Sequence, residues 1–335
     1  MNNPFARRNS AGSFTLPAGI DGPITELVVI GNQLEIYTPT ATVVAQTPEA
    51  IDPDRTNPNI PWVQRQTDTV GSSHPAVART LITAYRAFKA NLVDDRFDKT
   101  NILTRIHSIK TLLVACDKAK ASLAGAIDTQ VEAFNRTQGA LDNAGLLLQY
   151  HPHVADLEAL VTSLLVNAKR VTVEVCQLIA QFWPMNHTAL QYVVRDLTPI
   201  LGENDNFLKW LSDHMVGTTR IVSLRNGQEH NLTTAKPLHI SNFQMLPTGQ
   251  MRMPVWQLGD DEAVDIREES SAIVPFLIDL AEGAIVGALD HHLVSILPLG
   301  FLPVEHPKPD APVRYEVQIL QQFIGPTADK DAGHA

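Results

Sequence analysis

The chain has 335 residues, of which 44% are hydrophobic and 19% are charged, so it can bury a core and is neither disordered nor collagen-like. Lysine and arginine number 26 against 36 aspartate and glutamate, and the formal net charge of −10 argues against a broad electrostatic contact with nucleic acid or anionic lipid. Two cysteines in the whole sequence exclude a disulfide-built scaffold and favour a reducing compartment. We expect a cytoplasmic protein, because the first residues also lack the apolar core of a secretory signal.

The first region, residues 1–72, is predicted to be a β-hairpin followed by an extended segment. Two strand-like runs, Glu26–Ile30 and Gln33–Tyr37, flank a Gly31-Asn32 pair, which is a strong turn signal. The following stretch contains four prolines, each of which removes a backbone donor and disfavours helix at its predecessor: Pro48, Pro53, Pro58 and Pro61. This segment should follow the surface of the protein.

The second region, residues 73–216, has the spacing of long helices. Twelve positions from 102 to 141 advance by alternating steps of four and three, and nine of them are apolar: Ile102, Ile106, Ile109, Leu113, Cys116, Leu123, Ile127, Phe134 and Leu141. A second run with the same spacing is apolar throughout: Val154, Leu157, Val161, Leu164, Ala168, Val171, Val175, Leu178 and Phe182. An average step of 3.5 residues keeps one seam facing a partner helix. The two runs are therefore predicted to pack antiparallel, either as a long projecting hairpin or as members of an ordinary bundle.

The third region, residues 217–325, is predicted to be a β-sheet region with one buried helix. The runs RIVSL and HNLTT flank an Asn226-Gly227 pair and are interpreted as a second hairpin. Apolar residues from Ile273 to Leu289 recur with helical spacing and indicate the buried helix. Residues 326–335 are expected to be a flexible tail.

The predicted fold class is α+β. A central antiparallel helical bundle or long helical hairpin would be joined to a small, mostly antiparallel β-sheet domain, which the N- and C-terminal regions form together by sharing a sheet. The most apolar part of the chain is interrupted by charged residues, so no membrane segment is expected.

One candidate site is the triplet Asp290-His291-His292, because imidazoles beside a carboxylate can hold a divalent metal and activate a water molecule. The triplet resembles the signature of the DHH phosphoesterases, a family that also needs acidic ligands upstream, typically an Asp-x-Asp pair. The nearest analogue here is Asp52-Pro53-Asp54, in the proline-rich segment. The alternative is that the triplet ends a helix, where histidines are favourably placed near the negative end of the helix dipole. We predict that His291 and His292 do not jointly bind a functional metal.

A second motif is Arg225 followed five positions later by His230. This spacing resembles the Arg-x4-His motif of the HEPN-type ribonucleases, in which the motif lies on a helix of an all-helical bundle and its two side chains converge on a phosphodiester. In this chain the motif spans the predicted Asn226-Gly227 turn between two strand-like runs. The local context therefore favours a solvated hairpin tip.

The leading functional hypothesis is a non-catalytic interaction or assembly protein whose paired helices bind a protein partner or a second copy of the chain. It rests on the long heptad seams and on the lack of nucleophile-elbow and phosphate-loop motifs. The first alternative is a metal-dependent hydrolase, for example a phosphoesterase, that uses Asp290, His291 and His292. The second is a small-molecule binding module. No cofactor, membrane or nucleic-acid partner is expected.

Overall fold

The computed structural model describes residues 15–141, 151–229, 236–248 and 250–320. It is a mixed protein of several helices and small antiparallel sheets. The chain divides into two compact units, one made of Met1–His107 with Ile285–Ala335 and the other of Ser108–Ala284. The boundaries fall inside two helices, Lys99–Leu141 and Ile266–Asp290.

The first unit contains a four-stranded antiparallel sheet in sequence order: β1 (Glu26–Ile30), β2 (Gln33–Tyr37), β3 (Thr42–Gln46) and β4 (Val63–Asp68). The predicted hairpin β1–β2 is confirmed, with Val28 opposite Glu35 and with Gly31 at a φ of +56° in the turn. Side chains of Ile36, Val43 and Ala45 form a core on one face of this sheet.

The sequence predicted that the proline-rich segment is extended. The structure shows that part of it is helical. It begins with the one-turn helix α1 (Pro48–Ile51), in which Thr47 caps the N-terminus and its side chain accepts a hydrogen bond from the Ala50 N–H at 3.1 Å. It ends in β4. The reason is that proline is favoured in the first turn of a helix, where its missing N–H costs no hydrogen bond.

The rest of the first unit consists of helix and a C-terminal hairpin. A π-helical stretch, Val77–Ile82, continues into α2 (Thr83–Lys89), and the start of α3 (Lys99–Leu141) follows. Strands β10 (Leu299–Pro303) and β11 (Tyr315–Ile319) pair only with each other in the described residues. The expected shared sheet of N- and C-terminal strands is therefore wrong for the described part of the chain. Each region instead closes its own local hairpins, which costs less chain entropy than pairing across the sequence.

The second unit is mainly helical. After α3 come α4 (Leu157–Ile179), α5 (Leu190–Leu201), α6 (Asn206–Asp213) and α7 (Met215–Gln228). Two small sheets follow, one of β5 (Leu238–Ser241), β8 (Val255–Leu258) and β9 (Val264–Asp265), the other of β6 (Gln244–Met245) and β7 (Met251–Arg252), before α8 (Ile266–Asp290).

The apolar heptad positions lie on the buried faces of the two long helices. All nine apolar positions of the second run are buried, and so are the seven of the first run from Ile102 to Ile127. Phe134 is half-buried, and the side chain of Leu141 lies outside the described residues. The 3.5-residue spacing therefore identified the core face of each helix correctly.

The predicted hairpin at Asn226-Gly227 is wrong, because RIVSL lies on helix α7 and the Asn-Gly pair lies in the last turns of that helix. Gly227 has a different purpose: a Cβ atom there would lie 2.6 Å from the Lys236 carbonyl oxygen. The glycine allows the following chain to pass close to the helix rather than to turn. The run HNLTT lies outside the described residues.

Helix α8 confirms the predicted buried helix. By length and composition it could also cross a membrane, since an 18-residue window has a mean hydropathy of 1.9. About 61% of that window is buried within the protein, as expected for a core helix.

Candidate functional site

The triplet Asp290-His291-His292 ends helix α8. The Phe301 N–H donates to Oδ1 of Asp290 at 2.9 Å, so the carboxylate fixes the start of the hairpin β10–β11. Nδ1 of His291 lies 2.8 Å from the Gly287 carbonyl oxygen, one turn back in the helix, and must donate to it because a carbonyl only accepts. Asp290 and His291 are exposed. Two members of the triplet thus have roles at the end of the helix.

His292 is half-buried and packs on a neighbouring loop. Its ring lies 4.7 Å from the ring of Phe97, and its Nδ1 lies 3.3 Å from Nη2 of Arg96, which donates to it. Burial lowers the pKa of His292 to about 4, and the positive charges of Arg96 and His291 act in the same direction, while Asp94 opposes them. The ring is therefore neutral near pH 7.

The depressed pKa of His292 predicts a pH dependence of stability. The unfolded chain takes up a proton near pH 6.5, whereas the folded chain does so only near pH 4, so stability is present above pH 6.5 and falls as the pH drops through this interval. Replacing His292 with glutamine should flatten the dependence of the unfolding free energy on pH between 6.5 and 4, measured by urea denaturation. The exposed His153, replaced in the same way, is the control. An equal change in both variants would contradict this assignment.

A metal site would need further ligands near the triplet. Among the described residues, no three side chains of histidine, cysteine, aspartate or glutamate are grouped so that they could hold a metal ion. Asp52, the upstream acid of the DHH resemblance, accepts hydrogen bonds from the backbone of Thr56 and Asn57 at 3.0 and 2.9 Å. It stabilises a local turn.

Both cysteines are buried in helices, as expected. Burial raises the pKa of Cys116 and of Cys176 to about 12. Because the thiolate is the reactive form, neither side chain is suited to nucleophilic catalysis near neutral pH.

The sequence did not predict a hydrogen-bonded cluster around the buried carboxylate of Glu35. Oε1 of Glu35 lies 2.7 Å from Nε2 of His107, and Oε2 accepts a hydrogen bond from the Tyr37 hydroxyl. Glu35 is only 5% exposed. Burial and the charge of Glu35 raise the pKa of Tyr37 well above its ordinary value. No local sequence pattern indicated this cluster, because His107 of α3 is 72 positions from Glu35 in the sequence.

A second feature that the sequence did not predict is a groove between α4 and α7 with a volume of about 310 Å³. Its lining from α4 recurs at helical spacing, and α7 with the residue after it contributes two more side chains: Val166, Lys169, Arg170, Val173, Glu174, Arg225 and Glu229. The two helices are joined by a hydrogen bond from Nζ of Lys169 to Oδ1 of Asn226 at 2.7 Å and by one from Gln228 to the Thr162 hydroxyl at 3.0 Å.

The groove brings three cations and two carboxylates together. Nη2 of Arg225 lies 2.6 Å from Oε1 of Glu229, and the Arg225 side chain is 17% exposed against 46% for Glu229. Arg225 stands in the last turn of α7, where a positive charge also favours the helix dipole. Lys169 and Arg170 face the same space from α4. An anion in the groove could therefore meet side chains from both helices.

The sequence contained one signal for this groove, the Arg225–His230 spacing, and the strand prediction obscured it. Arg225 lies on a helix, as in the resembling family, but α7 ends at Gln228, before His230. His230 itself lies outside the described residues. Lys169 and Arg170 gave no signal, because more than 50 positions separate them from Arg225 in the sequence. Searches found no family model, no curated protein and no solved structure that matches this chain.

Proposed function

We propose that the protein is a ribonuclease-like RNA-binding protein that holds the RNA backbone in the groove between α4 and α7. The observation that supports this most directly is the position of Arg225 on a helix beside Lys169 and Arg170. Guanidinium and ammonium groups form charge-assisted hydrogen bonds with phosphate oxygens, and arginine can do so with two donors at once. The resemblance to the HEPN-type ribonucleases implies that His230 completes the site.

This proposal departs from the expectation that the protein has no nucleic-acid partner. That expectation came from a net charge of −10 over the whole chain, and phosphate binding depends on the charge at the contact. Lys169, Arg170 and Arg225 are opposed in the groove by Glu174 and Glu229, which leaves a local excess of one positive charge. A weak, salt-dependent affinity is expected from such a site.

We also propose that α3, α4 and α7 form an antiparallel helical bundle, the architecture in which the resembling motif occurs. The buried heptad faces of α3 and α4 support it. So does a hydrogen bond from the His153 N–H to Oε1 of Gln130 at 3.3 Å, which joins the chain just before α4 to α3. In this bundle, one face of α4 would pack against the core and another face would line the groove.

The test is the binding and cleavage of a fluorescent single-stranded RNA oligonucleotide. Replacing Arg225 with alanine should weaken binding about tenfold or more at low salt, because a charged hydrogen bond to phosphate is lost. Arg195→Ala is the matched control, since Arg195 lies on α5 outside the groove and pairs with Asp196 at 2.8 Å. On the resemblance, His230→Ala should abolish cleavage and leave binding within about twofold.

Two results would contradict the proposal. An equal loss of affinity in Arg225→Ala and Arg195→Ala would mean that RNA responds only to overall charge. Unchanged affinity in Arg225→Ala, with circular dichroism showing an intact helical fold, would mean that the groove is not the binding site.

A protein-interaction role, the leading hypothesis from the sequence, is the second candidate, at a different surface. The heptad positions on which that hypothesis rested are buried within the chain, so this candidate needs another surface. In the loop 294–297, however, Ile296 is fully exposed and Val294 and Leu297 are more than half-exposed, and clustered exposed apolar residues are typical of interaction sites. We propose that this loop contacts a second copy of the chain. Native mass measurement tests this contact, because a single-chain mass at all concentrations would contradict the dimer.

Metal analysis of the same sample tests the Asp290-His291-His292 hydrolase hypothesis. About one tightly bound metal per chain would support the hydrolase.

A further inference from the structure

We infer that Glu229 regulates the RNA affinity of the groove between α4 and α7 as a tethered competitor. Its carboxylate pairs with the guanidinium of Arg225 until a phosphate displaces it. This inference rests on the proposed function of the groove. It concerns what sets the affinity of the site rather than which polymer binds there.

The contact between the two side chains has the geometry of an anion bound to Arg225. Oε1 of Glu229 lies 2.6 Å from Nη2 of Arg225, within the range of charge-assisted hydrogen bonds. Both side chains line the groove. A phosphate oxygen that used the same donor would have to take the place of this carboxylate oxygen.

The exposure of the two partners makes the exchange feasible. The Glu229 side chain is 46% exposed, and the residue follows the last residue of α7, whereas Arg225 is 17% exposed. The carboxylate can therefore move into water without losing buried contacts, while the guanidinium stays in place. Pairs of this kind, four residues apart at a surface, contribute little to stability, so a ligand with several phosphates can outcompete one carboxylate.

Charge repulsion adds to the competition. Once displaced, Glu229 remains on the same turn of chain as Arg225, and its negative charge stays within several ångströms of the bound phosphate. A single isolated phosphate meets this repulsion with no further phosphate groups to offset it. A polynucleotide also reaches Lys169 and Arg170 on α4, so Glu229 favours polyanions over small phosphates.

The experiment measures the affinity of a single-stranded RNA oligonucleotide for the full chain and for Glu229→Gln. The neutral amide keeps the shape of the side chain and removes its charge, and we expect binding to tighten about fivefold at low ionic strength, with the gain shrinking as salt screens the charge. Glu158→Gln, an exposed position on the first turn of α4 outside the groove, makes the same change in net charge and should stay within about twofold of the parent chain.

The double variant Arg225→Ala, Glu229→Gln and the two single variants together distinguish the competition by Glu229 from the proposed binding of RNA in the groove. If Glu229 acts mainly through Arg225, Glu229→Gln tightens binding clearly less in the Arg225→Ala background, where only the direct charge repulsion remains to be relieved, than in the parent chain. Weaker binding in Arg225→Ala without tighter binding in Glu229→Gln would overturn the role of Glu229 and leave the proposed function standing. Unchanged binding in Arg225→Ala would overturn the proposed function itself. An equal gain in Glu229→Gln and Glu158→Gln would show an effect of net charge and refute the competition.

Discussion

Replacing Gly71 with alanine should lower the free energy of unfolding by about 3 kcal/mol, because the added methyl group has no space. A Cβ atom at this position would lie 2.1 Å from the carbonyl oxygen of Thr38 and 2.5 Å from the backbone nitrogen of Ala41. These atoms belong to the connection between β2 and β3, which is held by a hydrogen bond from the Thr38 N–H to the Ala41 carbonyl oxygen at 3.0 Å. Backbone held in this way cannot move aside as a flexible side chain would.

At Gly125, on the exposed side of α3, an added methyl group does have space. No heavy atom of the described residues lies within 4 Å of a Cβ built there, and alanine is about 1 kcal/mol more favourable than glycine in a helix. Gly125→Ala should therefore stabilise the protein by up to about that amount. Urea denaturation of both variants measures the two effects, and a change of the same sign in both would show that close approach does not decide the cost at Gly71.

Replacing Leu164 with alanine should also cost about 3 kcal/mol of unfolding free energy. Leu164 lies on the buried face of α4 and is fully inaccessible to solvent, so its truncation loses apolar burial and leaves a cavity. Leu160, one turn earlier on the same helix, is half-buried. The same substitution at Leu160 should cost clearly less.

The comparison of Leu164→Ala with Leu160→Ala needs only thermal and urea melts of the two proteins. Both substitutions remove the same atoms and have the same effect on helix propensity, so their difference measures the packing of the heptad face. Equal losses would mean that the α4 seam is not better packed than its flank, and the antiparallel bundle proposed above would lose its main support.

Local patterns in the sequence were sufficient for several elements. The hairpin β1–β2 was predictable because Gly31 supplies the positive φ of its turn and short strand-like runs flank it on both sides. The long helices were predictable because their buried positions repeat every three or four residues over many turns. In each case the interactions that decide the structure lie within a few residues of one another.

Local patterns failed at Asn226-Gly227 for a reason that lies elsewhere in the chain. Glycine serves tight turns and close approaches equally well, and the choice between them depends here on Lys236, whose carbonyl oxygen would contact a Cβ at position 227. Because this stretch was predicted to be a hairpin, Arg225 was expected at a turn instead of on a helix. Of the residues that line the groove, only Arg225 belongs to a motif in the sequence.

The sequence by itself determined the hairpin β1–β2, the buried faces of α3 and α4 and the apolar helix α8, because periodicity and turn chemistry are local properties. Only the tertiary structure decided that Glu35 is buried against His107 and that Lys169 lies beside Asn226. Such contacts join residues far apart in the chain, and their energy depends on which helix covers which face. A groove with charges from two helices therefore cannot be predicted from either helix alone, even though one of its residues, Arg225, belongs to a local motif.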